Sequence, residues 1–566
     1  MGFGSSKIYG SIIFAVTVLA MPSATYSKTH VIDASVPTLD IGTLSSPNPA
    51  FERDRQQAGL FEYKAKAIAR WNVIPFQKID NEIQIGVVAF HMNGISHIDF
   101  SANGGHTRTV RVAKLNFRTN VLEYSVQLKT SDIKDQKITL KATAFPLSGS
   151  PRTLEPLVLW ANAKAAYGGN TVYVTNQTTE AIKNGTKEHP FTNIASAIRA
   201  AGSGGDVILL DRGKYSLEGN AGIKKSKSWI TIKADDGIDR DDIILELAER
   251  KLVRLGTDKL KFQNLSIDFG SFIQIYPENK HLLWFDNVRW FDSNRSASEP
   301  EGQILIPIRT SKYIGGYYVT NSICENTLYG FVDAKLVRNS RMENISGDAL
   351  QRSLMILNVS IHDMDGDLRK HHSDILQYFG DFDNVIVFGL WATKIKNVQN
   401  IFLDHYKSSF QNMAFVNIAI ENISSDPPFS QLNARQNHVL FYHLSIPGQT
   451  LILRDDFTQR KKFVPKDVIV MNSIFKRITR GKHSWKGIPV GIKIYSSHFV
   501  TGEKHGNFPT SGPIKINQLQ SGRITYQGSQ VSAIIQSGIP MQGFMISSER
   551  VMPKSLPDRG FLITQQ

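Results

Sequence analysis

Cysteine is almost absent from this sequence, since Cys324 is the only one among 566 residues. Because Cys324 also lies far from the N-terminus, neither a disulfide framework nor a lipid-bearing N-terminal cysteine is indicated. Beyond the N-terminus no segment has about eighteen uninterrupted apolar residues, so we expect no stable membrane insertion of the mature chain. Glycine-rich dinucleotide-binding and P-loop patterns are also missing from strand-to-helix contexts, which argues against nucleotide-dependent chemistry.

Positive charge is in excess but is not gathered into a dense tract. The chain has 65 Lys and Arg against 50 Asp and Glu, a net charge of +15. An excess of this kind favours encounter with polyanions. Because no Lys/Arg run of the nucleic-acid-binding type is present, the expected partner is an acidic polysaccharide and not nucleic acid. A protein that is basic without any such partner is the alternative interpretation.

The N-terminus has the pattern of a secretory signal peptide over residues 1–27. Lys7 precedes an apolar run from Ile12 to Met21, and small and polar residues follow from Pro22. The apolar run is too short for a stable membrane anchor. We therefore expect a secreted or periplasmic bacterial protein. Residues 28–70 are polar and rich in turns, as in a linker or lead-in.

Residues 71–163 have the pattern of a small β-sandwich. Short alternating segments such as Gln84–Phe90 and Ile138–Phe145 are separated by turn signals, including Asn103-Gly104. Strands of this length and spacing are typical of an immunoglobulin-like or fibronectin-like module. Such modules act as spacers or as carbohydrate-binding appendages. The spacer interpretation is favoured, because a fold alone does not imply a site.

A second unit begins at Thr171–Thr175. A short strand, a Gly-Thr…Pro-Phe-x-x-Ile-x-x-Ala-Ile helix and a strand ending in Gly213-Lys214-Tyr215 resemble the first segment of right-handed parallel β-helix proteins of the pectin-lyase-like superfamily. The resemblance implies a secreted protein that acts on polysaccharides. The helix suits a cap, because its apolar residues Ile194, Ala197 and Ile198 can cover the open end of a stack of coils.

Strand-like segments recur along the following residues at the interval of one solenoid coil. Each carries an Asn or a substitute at one place, and the intervals are 23, 34, 18, 19, 31, 28, 26 and 29 residues. The pattern predicts an all-β right-handed parallel β-helix over residues 171–535, with a C-terminal segment at 536–566 that folds back over its end. The nine positions are Asn264, Asn287, Asn321, Asn339, Asn358, Gly389, Asn417, His443 and Asn472.

The coil register also predicts which side chains face inward. Residues one and three after the Asn position are mostly apolar, as in Val359 and Ile361, and should point into the core. Residues two after it should point outward. That outward column includes Arg289, Arg341 and Trp391, a mixture of cations and an indole that can line a sugar groove. It also includes apolar members, so a packed face is the alternative.

The run from His362 to Gln377 concentrates proton-transfer groups between two predicted strands. Within it His372, Asp374 and Gln377 resemble an H-x-D-x-x-Q element of secreted β-helix proteins that act on polysaccharides. A carboxylate two residues from an imidazole can orient it and raise its basicity, which suits proton transfer. A polar ladder that satisfies a turn is the alternative interpretation.

Cations beside this element suit the elimination chemistry of a uronate lyase or the related epimerisation. A cation must neutralise the sugar carboxylate before a base can remove the neighbouring proton. The loop offers Arg369 and Lys370 for this purpose, and Asp348 from the preceding coil is a further catalytic candidate. The preceding coil also carries three cations that are predicted to bind substrate: Lys335, Arg338 and Arg341.

Aspartates in the same run leave two further possibilities open. Asp363, Asp365 and Asp367 alternate, and their oxygens can hold Ca²⁺, although the glycine does not fall where an EF-hand requires it. A pair drawn from Asp348, Asp365, Asp367 and Asp374 can instead serve a glycoside hydrolase, which needs two carboxylates facing each other across the bond. A solenoid that binds polysaccharide without cleaving it is the third hypothesis.

Overall fold

A computed structural model describes Thr38–Leu39 and most of residues 65–527. Within that range the following residues are outside the description: 117, 120, 131–136, 162–168, 178–182, 218–225, 248–252, 269–274, 278–280, 294–315, 367–372, 404–408, 423–429, 433–434, 454–455, 459–460, 464–465, 472, 481–491, 496–497, 500–514 and 521–522. The predicted signal peptide and the segment 536–566 also lie outside the described residues.

Two sheets of mostly antiparallel strands open the described chain. The first has the order β1-β8-β4-β2 with β7 paired to β8, and the second has the order β3-β11-β9-β5-β6 with β10 paired to β9. The strands are β1 Thr38–Leu39, β2 Ile68–Trp71, β3 Lys78–Ile79, β4 Glu82–Phe90, β5 Ile95–Ala102, β6 Arg108–Val110, β7 Lys114–Asn116, β8 Val121–Lys129, β9 Lys137–Pro146, β10 Arg152–Thr153 and β11 Leu157–Ala161.

Alternation of apolar and polar residues explains why these strands pair as two layers. In β9, buried Ile138, Leu140, Ala142 and Ala144 alternate with more exposed residues, so one side of the strand faces the core. The two sheets share one apolar core. The immunoglobulin-like or fibronectin-like assignment of this sandwich, and the domain boundaries predicted above, stay predictions.

Of the other described strands, 23 form one continuous ladder and are paired in parallel. They are β12 Thr171–Val174, β13 Asp206–Leu209, β14 Gly213–Leu217, β15 Ile230–Ala234, β16 Ile243–Leu247, β18 Lys259–Asp268, β20 Leu282–Phe291, β21 Tyr317–Thr320, β22 Ile323–Thr327, β23 Phe331–Val332, β24 Leu336–Ile345, β25 Leu350–Gln351, β26 Met355–Asp365, β27 Asp374–Tyr378, β28 Phe382–Lys396, β29 Gln399–Leu403, β30 Ser409–Asn422, β31 Ser430–Leu432, β32 Arg435–Leu453, β35 Lys466–Met471, β36 Ile474–Arg480, β37 Ile492–Tyr495 and β38 His498–Phe499.

Each strand of this ladder pairs with the equivalent strand of the next coil, which defines a parallel β-helix. β24 pairs with β26, β26 with β28 and β28 with β30, all in parallel. The predicted fold class is confirmed. Three short sheets accompany the ladder: β17 Val253–Leu255 with β19 Ile275–Pro277, β33 Asp456–Thr458 with β34 Lys461–Phe463, and the hairpin of β39 Lys515–Gln520 with β40 Arg523–Gln527.

The solenoid has three faces, which the coil containing β26 and β27 defines. Met355–Leu357 at the start of β26 belongs to the covered face, and Val359–His362, between Asn358 and the corner at Asp363, belongs to the outer face. The strand β27 belongs to the third face. Asn358 has φ 50° and forms the corner between the first two faces. A corner of this type bends the strand without breaking the ladder.

Left-handed backbone geometry explains the recurring Asn. The eight described positions of that column have φ between 49° and 73°, a region that Asn and Gly tolerate better than other residues. Their side chains also form a ladder, as Asn287 Nδ2 donates to Asn264 Oδ1 at 2.8 Å. Inward positions are confirmed too, because Val359, Ile361, Ile418 and Ile420 lie in the solenoid core.

Gly389 is the one glycine in this column, and its replacement tests the corner. A Cβ there would lie 2.7 Å from Asn358 Oδ1 at φ 73°, whereas Gly237 has φ 88° and no atom within 4 Å of a Cβ. Gly389→Ala should lower the free energy of unfolding by about 2–3 kcal/mol and Gly237→Ala by about 1 kcal/mol. Urea denaturation measures both, and equal losses would contradict the steric part of the argument.

One helix packs against the solenoid core near the first coil. It is α1, Ile194–Ala201, and the Asn193 side chain caps it by accepting a hydrogen bond from the Ser196 N–H. Ile194, Ala197 and Ile198 are buried in the solenoid core. A 3₁₀ turn spans Arg240–Asp242. No helix in the described part of the chain is long and apolar enough to cross a membrane.

The sandwich packs along the covered face of the solenoid. Its core is continuous with outward-facing apolar side chains of successive coils, among them Trp284, Leu357 and Phe388. The rings of Phe90 and Phe388 meet edge to face with centroids 5.5 Å apart. One of the three faces is therefore buried by the N-terminal sheets, and among the described residues the other two are not covered by them.

Candidate functional site

The outer face carries the predicted outward column. Successive coils place Arg289, Ile323, Arg341, Ser360 and Trp391 in one ladder position. Three of the predicted substrate-binding residues, Arg289, Arg341 and Trp391, therefore share one face. The Arg341 side chain is 50 % exposed, so its guanidinium is accessible to a ligand.

The column is open over these coils and closed beyond them. Ala419, Ser445 and Ile474 continue the same ladder position and are buried. The hairpin of β39 and β40 lies against β30 and β32, the strands that carry Ala419 and Ser445, through β39. The open stretch of the outer face thus extends from Arg289 to Trp391.

Carboxylates and an imidazole form a second outward column beside the first. The ladder stacks Glu325, Glu343, His362 and Thr393 on consecutive coils. Arg289 Nε donates to Glu325 Oε1 at 2.7 Å, and Arg341 Nη2 lies 2.7 Å from Glu343 Oε2. His362 Nδ1 lies 2.6 Å from Thr393 Oγ1. Cations, carboxylates, an imidazole and an indole therefore share the open stretch.

The other two predicted substrate-binding cations lie elsewhere. Arg338 is 6 % exposed, and its Nη1 donates to Asn72 O at 2.9 Å and to Asn72 Oδ1 at 2.7 Å. Lys335 is half-buried, and burial lowers the pKa of its ammonium, with Arg70 adding to the effect. Both residues lie where the sandwich packs on the solenoid, apart from the open stretch.

Predicted catalytic residues Asp348, Asp374 and Gln377 come together on the third face. Asp348 Oδ1 accepts from the Asp374 N–H at 2.9 Å, and Gln377 Nε2 donates to Asp374 Oδ2 at 2.8 Å. Gln351 Nε2 donates to Asp348 Oδ2 at 2.8 Å and also to Gln377 Oε1. Asp348 is 3 % exposed and Asp374 is fully buried. We call these four residues the carboxylate–amide network.

The outer face joins the third face at a close contact between Gly366 and Ser373. A Cβ at Gly366 would lie 2.7 Å from the Ser373 Cβ, and Ser373 Oγ donates to Ser346 O at 2.9 Å. Between these two residues lie Asp367, Arg369, Lys370 and His372, which are outside the described residues. Their predicted roles stay predictions.

Calcium binding also stays a prediction. Asp365 accepts from Lys396 Nζ at 2.8 Å and from Asn397 Nδ2 at 3.0 Å, and Asp363 is exposed at a corner with φ 58°. Among the described residues no group of three or more His, Cys, Asp or Glu is placed to hold a metal ion. Asp367, the third predicted ligand, is outside that set.

A cleft of about 330 Å³ lies between the sandwich and the first coils. Lys261 Nζ lies 3.0 Å from Asp286 Oδ2 and 3.9 Å from the Trp284 ring centroid, and Lys78 donates to the Gly204 carbonyl. The Lys261 side chain is only 11 % exposed, against 50 % for Arg341. The outer face therefore offers the more accessible cations.

Sequence reasoning missed Glu343 and His362 as a pair, although the signal was present. Each lies four residues after a predicted Asn position, Asn339 and Asn358 respectively. Equal offsets in consecutive coils place side chains one above the other. Gln351 was missed, although it follows Asp348 by only three residues, because its contact with Gln377 arises only from the third-face ladder.

Comparisons of sequence identified no relatives: no family model matches the chain, and no curated protein sequence matches it. Three solved structures are similar at 10% identity. A rhamnogalacturonan lyase has a TM-score of 0.34 and covers 58% of this chain and 87% of its own. A GH136 lacto-N-biosidase from Eubacterium ramulus has a TM-score of 0.30, and the match covers 58% of this chain and 68% of the biosidase. The catalytic domain of a GH87 α-1,3-glucanase has a TM-score of 0.27, and the match covers 77% of this chain and 89% of that domain. The fold assignment rests on the strand ladder described above.

Proposed function

We propose that this protein is a secreted or periplasmic carbohydrate-active enzyme that acts on an anionic polysaccharide. The observation that supports this most directly is the open stretch of the outer face, where Arg289, Arg341 and Trp391 stand in one column. Stacked coils are about 4.8 Å apart, so the column offers repeated contacts to an extended chain. Guanidinium groups suit sugar carboxylates, and an indole suits the apolar face of a sugar ring.

The proposed reaction is elimination or epimerisation at a uronate carbon. A cation neutralises the sugar carboxylate, a side-chain base removes the neighbouring proton, and in elimination the glycosidic oxygen leaves with a proton. The open stretch supplies the cation through Arg341, and groups beside it can transfer protons. Glycoside hydrolysis is the second candidate, because Asp348 and Asp374 place two carboxylates on neighbouring coils.

A screen of the purified protein on alginate, pectate, ulvan and glycosaminoglycans tests this proposal. Elimination creates a conjugated uronate that absorbs at about 235 nm and is expected on at least one polymer. Reducing ends without that absorbance would favour hydrolysis. Absence of both products, together with retained binding, would leave a polysaccharide-binding protein. A parallel assay with EDTA tests the predicted calcium site, and the variants His372→Ala and Asp374→Asn test the predicted catalytic residues.

Arg341→Met should raise KM for the anionic polymer about 10- to 100-fold. The expected loss corresponds to one hydrogen bond to a charged group, about 1.5–3 kcal/mol. Arg212→Met is the matched control, since Arg212 is an exposed, ion-paired arginine on an early coil. Affinity electrophoresis in gels that contain the polymer measures binding separately from turnover. Equal effects of the two substitutions would contradict a specific role for the open stretch.

A further inference from the structure

Glu343 and His362 occupy the same ladder position on consecutive coils of the outer face. Neighbouring strands are about 4.8 Å apart, and side chains at one ladder position project to the same side. Glu343 is 36 % exposed and His362 is half-buried. A carboxylate and an imidazole are thus adjacent on a surface that ligands can reach.

The flanking residues complete an arrangement suited to an acidic sugar. Arg341 lies two residues before Glu343 on β24 and is ion-paired with it at 2.7 Å. Trp391 lies opposite Ser360, two residues before His362. An acidic sugar that binds here therefore meets a cation, an indole and a proton acceptor within three coils.

Thr393 orients the imidazole. His362 Nδ1 lies 2.6 Å from Thr393 Oγ1 on the following coil. When Nδ1–H donates to this hydroxyl, the other ring nitrogen, Nε2, carries the lone pair and can accept a proton. The hydroxyl is thus a positioning group for the ring, in the way that a backbone carbonyl often is.

The carboxylate–amide network is less suited to contact with substrate. Asp374 is fully buried and Asp348 is 3 % exposed. Both oxygens of Asp348 already accept hydrogen bonds, from the Asp374 N–H and from Gln351. A group that removes a proton from a bound polymer must reach it, and on this criterion His362 is better placed.

We infer that Glu343 and His362 form the proton-transfer pair of this protein, with Arg341 binding the carboxylate of the sugar that reacts. This inference rests on the proposed function and names its base. The C5–H bond breaks as the proton passes to His362 Nε2, and the electron pair forms the C4–C5 double bond while the C4–O bond breaks. The leaving oxygen takes the proton back from the imidazolium, so the histidine ends neutral. Glu343 stabilises the transient imidazolium.

His362→Gln should lower kcat/KM by about 10²- to 10⁴-fold, the usual contribution of a general base. Binding in affinity electrophoresis and the urea midpoint should be unchanged. Glu246→Gln is the matched control, because Glu246 lies in the same outward column, four coils before Glu343 and five before His362, and is ion-paired with Lys214. That variant should retain wild-type turnover.

Two further pairs of variants separate a catalytic role from a structural one. Glu343→Gln should lower kcat/KM, because the imidazolium then forms without a neighbouring carboxylate, whereas Glu343→Asp, which keeps the negative charge, should restore part of the activity. Thr393→Val should reduce turnover, whereas Thr393→Ser, which keeps the hydroxyl, should restore it. A purely structural role would leave Thr393→Ser no more active than Thr393→Val.

The outcomes for the inference and for the proposed function are distinct. A wild-type protein that cleaves a polymer while His362→Gln retains full activity would overturn the inference and leave the proposed function standing. Loss of activity in Asp374→Asn with none in His362→Gln would place the base in the carboxylate–amide network. A wild-type protein inactive on every polymer, by absorbance and by reducing ends, would overturn both.

Discussion

Arg338→Met should lower the free energy of unfolding by about 3–5 kcal/mol, the range for removing one partner of a buried charge network. Arg338 bonds Asn72 of the sandwich, and Asn72 Nδ2 donates to Glu123 Oε2 at 2.5 Å. Asn116 Nδ2 donates to the other oxygen of Glu123 at 2.6 Å. Burial raises the pKa of Glu123, and Arg338 is among the groups that oppose the shift. Without Arg338 the buried carboxylate becomes more costly.

Arg341→Met is the matched control for this prediction. Arg341 lies three residues later on the same strand, is 50 % exposed and forms a surface ion pair, so its loss should change stability by less than about 1 kcal/mol. Urea denaturation of both variants gives the comparison. The double variant Glu123→Gln/Arg338→Met should recover part of the loss. If Arg338→Met raised KM as Arg341→Met does, without loss of stability, Arg338 would belong to the binding surface after all.

Acid should destabilise the protein between about pH 6.5 and pH 4 through a histidine pair at the sandwich–solenoid contact. The rings of His91 and His438 have centroids 4.7 Å apart, and the two residues are 0 % and 1 % exposed. Burial lowers the pKa of His91 to about 4. Burial lowers the pKa of His438 well below its usual value as well, with His91 and Arg152 adding to the effect.

The sign of this pH dependence of stability follows from proton binding. The folded protein binds fewer protons than the unfolded chain within this window, so the free energy of unfolding falls as the pH falls. For His91 alone the loss approaches about 3 kcal/mol near pH 4, at about 1.4 kcal/mol for each unit of pKa shift. Among the described residues, the Arg152 charge acts on His438, and Arg152 also donates two hydrogen bonds of 3.1 Å to Asp383. The Lys66 charge acts on Asp383, and the Lys66 backbone forms a hydrogen bond with His438.

His438→Asn tests this without straining the backbone. His438 has φ 57°, and Asn384 and Asn412 occupy the same corner on preceding coils with φ 65° and 51°, so Asn suits the position. The variant should lose less stability than wild type between pH 7 and pH 4.5 in urea denaturation. His189→Asn is the control, since His189 is exposed, and it should retain the full acid sensitivity. Identical slopes for wild type and His438→Asn would contradict the prediction.

The solenoid was predictable because its local requirements are strict. Every described position of the Asn column has left-handed backbone geometry, which few residues tolerate. The predicted core residues Val359 and Ile361 followed from strand alternation relative to that column. Local geometry therefore identified both the coil register and the side of each strand that faces the core.

The covered face was not predictable in the same way. Leu357 and Phe388 face away from the solenoid core and are buried only because the sandwich packs on them. Arg338 was predicted to bind substrate because nothing local to β24 indicates that Asn72, 266 positions away in sequence, bonds it. Predicting that Glu343 lies beside His362 required a comparison between two coils, because each residue lies four positions after the Asn of its own coil. Inspection of one sequence segment at a time does not reveal this.

The sandwich also constrains the number of coils. Apolar side chains from Trp229 to Ile469 join one cluster with the sandwich core. Solenoids commonly lengthen when a repeat is duplicated, and here an added coil between Trp284 and Leu440 would displace every later contact by about 4.8 Å. The contacts with the sandwich therefore fix the number of coils that it covers. Sequence variation in this protein should therefore accumulate in the lengths of the loops at the corners, while the number of coils covered by the sandwich stays constant.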